Sequence, residues 1–222
     1  MSGKYQFETT VLTLTIAGVL IKLRTVLHPE TLFDQMLEKG NNHDDVVNER
    51  IPYWAELWPA SIAMAEFLLN NRHLSEGKRL LEIGCGLGLA GIGANLSNAQ
   101  VTISDYLQEA VDLAKINWRL NFDTPPNVRL LDWHFPPDGE KFEIIIGADV
   151  LYDKMNHSAL SIFFDKMLVP GGIIILTDPK RSATGRFFEL PKMQEYQNQR
   201  HTITVTNKGA TSEIDIFVLQ KI

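Results

Sequence analysis

From Lys78 onward the chain alternates short, almost unbroken apolar runs with amphipathic stretches, and that alternation leaves few folds open. The runs are RLLEI (79–83), QVTISD (100–105), VRLLDW (128–133), FEIIIGADVLY (142–152) and GIIILTD (172–178). A strand with one wet face alternates apolar and polar residues, whereas a continuous apolar run is dry on both faces, as in a parallel strand between two helix layers. Helical periodicity falls between the runs, at Leu89–Ser97, Leu107–Leu120 and Asn156–Leu168. Repeated β and α units of this kind predict an α/β fold with an open, doubly wound, mostly parallel sheet. The end of the chain breaks the pattern. HTITVTNK, a turn at Gly209–Ala210 and EIDIFVLQKI have no helix between them and predict an antiparallel hairpin at the sheet edge. Five parallel strands and that hairpin make a seven-stranded sheet.

The first fifty residues read differently. Tyr5–Val26 alternates as a β-hairpin turning at Ala17–Gly18, and His28–Lys39 is a short helix starting near Pro29 and stopped by Gly40. Gly40–Arg50 is polar and is expected to be a mobile surface loop. Residues 1–50 are therefore expected to form a hairpin and helix extension packed on a domain spanning 51–222, which opens with an amphipathic helix after Pro59.

Composition narrows the function. The 222 residues carry a net charge of −6, the reverse of what a phosphate-gripping surface needs, so nucleic acid is not an expected partner. A single cysteine, Cys85, excludes an intrachain disulfide, and no histidine–cysteine cluster has zinc spacing, so no metal is expected. MSGKYQFETT has no apolar h-region, and no run approaches a membrane span. Location in the cytoplasm is the expectation. Oligomeric state is not readable.

The segment Leu80-Leu81-Glu82-Ile83-Gly84-Cys85-Gly86-Leu87-Gly88 ends a strand and begins a helix. Glycines let the backbone turn sharply beside a ligand, and the helix start offers free N–H groups. The run Gly86–Gly91 also fits the GxGxxG pattern of dinucleotide sites. Glu82 separates the two readings. A carboxylate there would repel a pyrophosphate, whereas S-adenosylmethionine carries an ammonium on its methionine part. S-adenosylmethionine is the expected cofactor and S-adenosylhomocysteine its product; glycines serving only a tight turn are the bland alternative.

Asp105 ends the second strand about 20 residues on, where an acid accepts from ribose hydroxyls or simply caps the next helix. Tyr106 is placed against the adenine or in solvent. Asp132 is a candidate acceptor for the adenine amino group, and Trp133 a wall of the ring pocket or a core residue. The fourth strand ends in Gly147-Ala148-Asp149-Val150-Leu151-Tyr152. It neighbours the first strand in this layout, so Asp149 and Tyr152 are expected at the methyl donor. There a carboxylate can orient an amine that arrives protonated, and an apolar surround favours its neutral form. The Asp/Asn-Pro-Pro-Tyr/Phe loop of nucleic-acid adenine methyltransferases is missing here, since Val150 and Leu151 replace both prolines.

At these residues the chain resembles the seven-β-strand protein-lysine methyltransferases. The match rests on Leu57-Trp58-Pro59-Ala60 before a helix, on the Glu82–Gly88 loop with Leu131-Asp132-Trp133, and on Asp149-Val150-Leu151-Tyr152 as the family's acid-x-x-aromatic signature. Within the family it is most similar to the branch acting on the electron-transfer flavoprotein β-subunit and its bacterial relatives, through Pro52–Pro59 and Asp178-Pro179-Lys180-Arg181. The resemblance covers roughly residues 50–190. It implies that Trp58, Gly84, Gly86, Asp105, Trp133 and the Ala148 backbone contact the cofactor, and that Asp149 and Tyr152 face a lysine of a protein substrate. Ala60, Ser61 and Lys180 depart from that branch's glycines and leave the particular substrate open. A small-molecule amine such as nicotinamide, and a non-catalytic cofactor-bound interaction module, are the alternatives. Lys180, Arg181 and Arg186 are read as a solvated loop or a dock for an acidic protein surface.

Overall fold

The computed structural model describes residues 5–47 and 50–221; residues 1–4, 48–49 and 222, at the N-terminus, in the polar segment before Arg50 and at the C-terminus, lie outside the described residues. Two sheets are present among the described residues. Strands β1 (Thr9–Ile16) and β2 (Val19–Val26) form a hairpin of their own. Strands β3 (Arg79–Ile83), β4 (Gln100–Asp105), β5 (Val128–Leu130), β6 (Phe142–Ala148), β7 (Leu168–Asp178), β8 (Tyr196–Asn207) and β9 (Ala210–Lys221) form a seven-stranded sheet in the order β5-β4-β3-β6-β7-β9-β8. The first five strands in that order are parallel, and β9 pairs antiparallel with both β7 and β8. The helices are α1 (Glu30–Glu38), α2 (Asp44–Val47), α3 (Pro59–Asn70), α4 (Leu89–Leu96), α5 (Gln108–Arg119), α6 (His157–Met167) and α7 (Thr184–Phe188). This is the doubly wound α/β architecture expected from the alternating runs.

The apolar strands are buried on both faces because successive side chains serve opposite helix layers. Leu80, Ile144 and Ile146 pack with Met64, Leu68, Ile92 and Leu113 on the side of α3, α4 and α5. Leu81, Ile145 and Ile174 pack with Leu160, Phe163 and Phe164 of α6 on the other. Each fully buried side chain of this kind contributes about 1.5–3 kcal/mol, so neither layer is dispensable.

The β1–β2 hairpin would leave an open edge, and two asparagines close it. Asn121 accepts from Lys22 N at 2.9 Å and donates to Lys22 O at 2.7 Å, while Asn117 accepts from Arg24 N at 2.6 Å and donates to Arg24 O at 3.1 Å. Their side-chain amides, Asn117 in the last turn of α5 and Asn121 just past its end, stand in for a third strand. Asn117 also donates to Leu87 O at 2.9 Å, which couples the hairpin to the glycine loop.

Three expectations are corrected. The polar segment after Gly40 is not simply a loop: it contains α2, where buried Asp45 accepts from Lys39 Nζ at 2.6 Å. The C-terminal turn is at Lys208–Gly209, one residue earlier than read, because a two-residue hairpin turn needs positive φ at both positions and Lys208 (+49°) and Gly209 (+78°) supply it. The third parallel strand stops at Leu130; the Leu131 N–H still donates to Asp105 O at 2.8 Å, but Asp132 and Trp133 have left the sheet.

Candidate functional site

The strand order reverses between β3 and β6, where chains leaving the sheet turn to opposite faces and open a crevice. A cleft of about 270 Å³ lies there. Register places Ile83 beside Gly147, so the loops leaving β3 and β6 share one wall of it. Nine of the residues singled out in the sequence line the cleft: Trp58, Gly84, Gly86, Asp105, Tyr106, Trp133, Ala148, Asp149 and Tyr152.

Three do not. Glu82 was expected to face the methionine ammonium, but its side chain is buried and its Oε2 accepts from Gly91 N at 3.0 Å. Strand periodicity explains this: Glu82 shares the face of Leu80, which packs against α4, while Ile83 points the other way. Burial raises its carboxyl from 4.5 to about 8. Gly88 caps α4 at φ +77° and packs on Ala114. Asp132, expected at the adenine amino group, is turned toward its own loop, its Oδ1 accepting from His134 N at 2.9 Å and lying 2.8 Å from His134 Nδ1.

The floor of the cleft is backbone. Gly86 holds φ +50°, and a side chain there would meet the Trp54 carbonyl oxygen at 3.3 Å, so only glycine fits without strain. Asp105 fixes this loop: Oδ2 accepts from Gly86 N at 3.0 Å and Oδ1 from Leu107 N at 3.1 Å. Burial raises its carboxyl to about 6. Each carboxylate oxygen retains a further acceptor site. On the other side stand Tyr106 and Trp133, ring centroids 6.4 Å apart. The Trp133 Nε1 donor is buried without a partner among the described residues.

The acceptor side is built at the end of β6. Asp149 takes φ +57°, and its N–H donates to Thr177 O at 2.8 Å, which turns the side chain into the cleft. Its carboxylate is not free. Arg181 Nε donates to Oδ1 at 2.5 Å and Nη2 to Oδ2 at 2.6 Å. Tyr152 meets Tyr53 edge to face at 5.7 Å, and Tyr53 meets Trp58 at 5.8 Å, giving an aromatic wall. Trp58 Nε1 donates to Tyr53 O at 2.8 Å and locks the wall. Burial pushes the Tyr152 phenol up to about 12. Sequence reading missed Tyr53 and assigned Arg181 to an outer loop. The aromatic density of PYWAELWP and the position of Arg181 just past a strand's carboxyl end were the available signals. Among the described residues no cluster of three or more acidic, histidine or cysteine side chains is arranged to hold a metal.

The family described as lysine methyltransferase matches residues 48–194. The electron transfer flavoprotein beta subunit lysine methyltransferase of Danio rerio is 30% identical over 133 residues, covering 59% of this chain and 51% of that protein. The histidine protein methyltransferase 1 homolog of Dictyostelium discoideum is 36% identical over 104 residues, covering 44% of this chain and 34% of that protein. The chain thus spans about half or less of the length of these relatives. In three dimensions it resembles the N-methyltransferase of Bradyrhizobium japonicum solved with S-adenosylhomocysteine, with a TM-score of 0.57 and 18% identity over 84% of this chain and 97% of that one. That likeness speaks for the fold.

Proposed function

The chain belongs to the lysine methyltransferase family, and from that premise we propose that it is an S-adenosylmethionine-dependent enzyme that N-methylates a lysine side chain of a protein. The observation that carries the reading is the meeting of two loops in one cleft: the glycine loop after β3 and the Asp149–Tyr152 segment after β6. The first suits a cofactor, the second an acceptor.

The residues present fit S-adenosylmethionine. Gly84 and Gly86 leave room for its methionine part beside bare backbone, Asp105 is the acceptor for ribose hydroxyls, and Tyr106 and Trp133 wall the adenine, the orphaned indole N–H offering a ring nitrogen a donor. Trp58 and the Ala148 backbone complete that side. When bound, this cofactor supplies an electrophilic methyl group on a sulfonium. Asp149 and Tyr152 then hold the acceptor, and the aromatic wall of Tyr53, Trp58 and Tyr152 shields it from water. Positioning of this kind supplies a large part of a barrier reduction without further chemistry.

The net charge of −6 supports a protein or small amine over a nucleic acid as acceptor. A buried, unpaired Cys85 suits action in the reducing cytoplasm. The 36% identity to a protein-histidine enzyme favours one second reading, an imidazole acceptor. Tritiated S-adenosylmethionine and lysate from cells lacking the gene test both: labelled protein is expected, with mass spectrometry placing the methyl group on lysine. Label on histidine selects the second reading. No labelled protein, with no affinity for S-adenosylhomocysteine, overturns both.

A further inference from the structure

The acid at the centre of the acceptor side is already paired. Arg181 presents the Nε–Nη2 edge of its guanidinium to both oxygens of Asp149, at 2.5 and 2.6 Å. Two parallel charge-assisted bonds of this kind fix the plane of the carboxylate as well as its charge. The arginine is not a drifting surface side chain. Its backbone N–H donates to Asp178 Oδ1 at 2.7 Å, and Asp178 Oδ2 accepts from Thr184 Oγ at 2.7 Å. Asp178 is itself 1% exposed at the end of β7. The cation is thus anchored through its main chain by one buried acid and through its side chain by another. The Asp149 bonds hold the guanidinium proton more tightly than usual.

Among the described residues Asp149 is the acid that the Arg181 guanidinium bonds to; further acids, and the cation Arg50, stand around the pair without entering those two bonds. Asp178 lies behind Arg181 and Tyr53 beside it; Tyr152 lies on the Asp149 segment, with Asp153 next to it. Glu56, Asp105 and Tyr106 line the same cleft. Burial drives the phenols of Tyr106 and Tyr152 further toward their neutral forms. Asp105 has both oxygens engaged by backbone N–H groups.

A lone carboxylate at this point would bind an incoming ammonium and raise its pKa, tying up the lone pair that must attack carbon. A carboxylate already matched by a guanidinium does not. We propose that Arg181 is a positioning residue that cancels the Asp149 charge at the acceptor site, so that the site selects the neutral, nucleophilic form of the incoming amine over its ammonium. This rests on the reading that the acceptor is an amine. It replaces the simpler expectation that Asp149 captures the ammonium directly.

The test needs no protein substrate. n-Butylamine carries the amine of a lysine side chain. It is titrated by calorimetry into the whole chain saturated with S-adenosylhomocysteine, from pH 7 to pH 10, for the wild type, Arg181→Gln and Arg181→Lys. Wild-type affinity is expected to rise with pH, because the neutral fraction of an amine with pKa about 10.4 grows tenfold per unit below that value. In Arg181→Gln the unmatched carboxylate should hold the ammonium: affinity at pH 7 rises about tenfold or more, and the increase with pH disappears. Arg181→Lys should restore the wild-type profile, since it returns the charge without the fork. A merely structural arginine would move all affinities together and leave the pH profile unchanged. Circular dichroism and S-adenosylhomocysteine affinity confirm each variant is folded. Equal affinities at pH 7 with parallel profiles overturn the proposal, as does failure of wild type and variant alike to bind the amine at any pH. Should Arg181→Gln not fold, the wild-type profile decides, and a flat or ammonium-favouring profile overturns the proposal. Failure of the wild type to bind S-adenosylhomocysteine would instead sink the methyltransferase reading.

Discussion

The Glu82 carboxyl accepts a hydrogen bond from the Gly91 N–H at 3.0 Å, tying the carboxyl end of β3 to the first turn of α4 behind the glycine loop. The contact is possible only because residue 91 has no side chain. A Cβ there would lie 2.4 Å from Glu82 Oε2 and 2.7 Å from Ile103 Cγ1. Gly91→Ala therefore overpacks a site with nowhere to expand, and we expect it to cost about 1–3 kcal/mol. A urea midpoint lowered at unchanged m-value is the expected result, and a midpoint equal to wild type would mean that the helix shifts freely.

The same buried acid makes stability depend on pH. Glu82 rises from 4.5 to about 8 and Asp105 from 3.8 to about 6, burial being the first cause in both. In each case the folded state keeps a proton that the unfolded chain has lost. Between the two values the unfolded state binds fewer protons, so stability falls as pH rises. For Glu82 the window runs from about 4.5 to about 8, and for Asp105 from about 3.8 to about 6. The ligand-free protein is expected to melt lower at pH 8 than at pH 5.5. Glu82→Gln, which can still accept from Gly91 and has no proton to lose, should flatten the curve above pH 6. A wild-type melting temperature that does not fall over this range would show that these carboxyls titrate normally.

The sequence carried the fold further than the site, for a physical reason. Unbroken runs such as Ile144–Ile146 and Ile173–Leu176 name buried parallel strands because burial acts on every residue of them. The loops that line the cleft were likewise placed, since glycines between a strand and a helix have few other uses. What periodicity does not carry is direction. Glu82 lies two residues before Gly84 and reads as a cofactor partner, yet the two-residue period of β3 turns it to α4. Asp132 reads as part of a strand end but has already left the sheet and caps its own turn. Arg181 lies 32 residues from Asp149, and no local pattern announces a contact that exists only after β6 and β7 pair. Pairings between distant residues are the part of a site that spacing leaves out.

Cofactor binding should depend on the Asp105–Gly86 contact. Removing the carboxylate with Asp105→Ala frees the glycine loop and deletes the proposed ribose acceptor at once. The expected loss of S-adenosylhomocysteine affinity is about 1–3 kcal/mol, the range for losing a charged hydrogen-bond acceptor. Gly86→Arg should be harsher and abolish measurable binding, because backbone at φ +50° and the Trp54 carbonyl leave its side chain the cleft itself to fill. Calorimetric titration checks both. Wild-type affinity in a folded Gly86→Arg protein would place the cofactor elsewhere.

The sharpest prediction concerns Asp149. Its φ of +57° is a conformation that asparagine tolerates at least as well as aspartate, so Asp149→Asn leaves the backbone turn intact. The amide keeps one acceptor oxygen for Arg181 but loses the second bond and the whole charge. The guanidinium is then unmatched in the cleft, and the fixed carboxylate that positions the neutral amine is gone. We expect kcat/KM to fall about 10²-fold or more, the scale on which a preorganised charge at a reacting centre acts. S-adenosylhomocysteine affinity should stay within about twofold, because the loss belongs to a group outside the cofactor's own contacts. Tyr152→Phe should be milder, since its ring packs edge to face on Tyr53 and is kept by phenylalanine. The comparison to make is methyl transfer against S-adenosylhomocysteine affinity for each protein. An Asp149→Asn enzyme that methylates at the wild-type rate would reduce Asp149 to a turn residue that happens to hold Arg181.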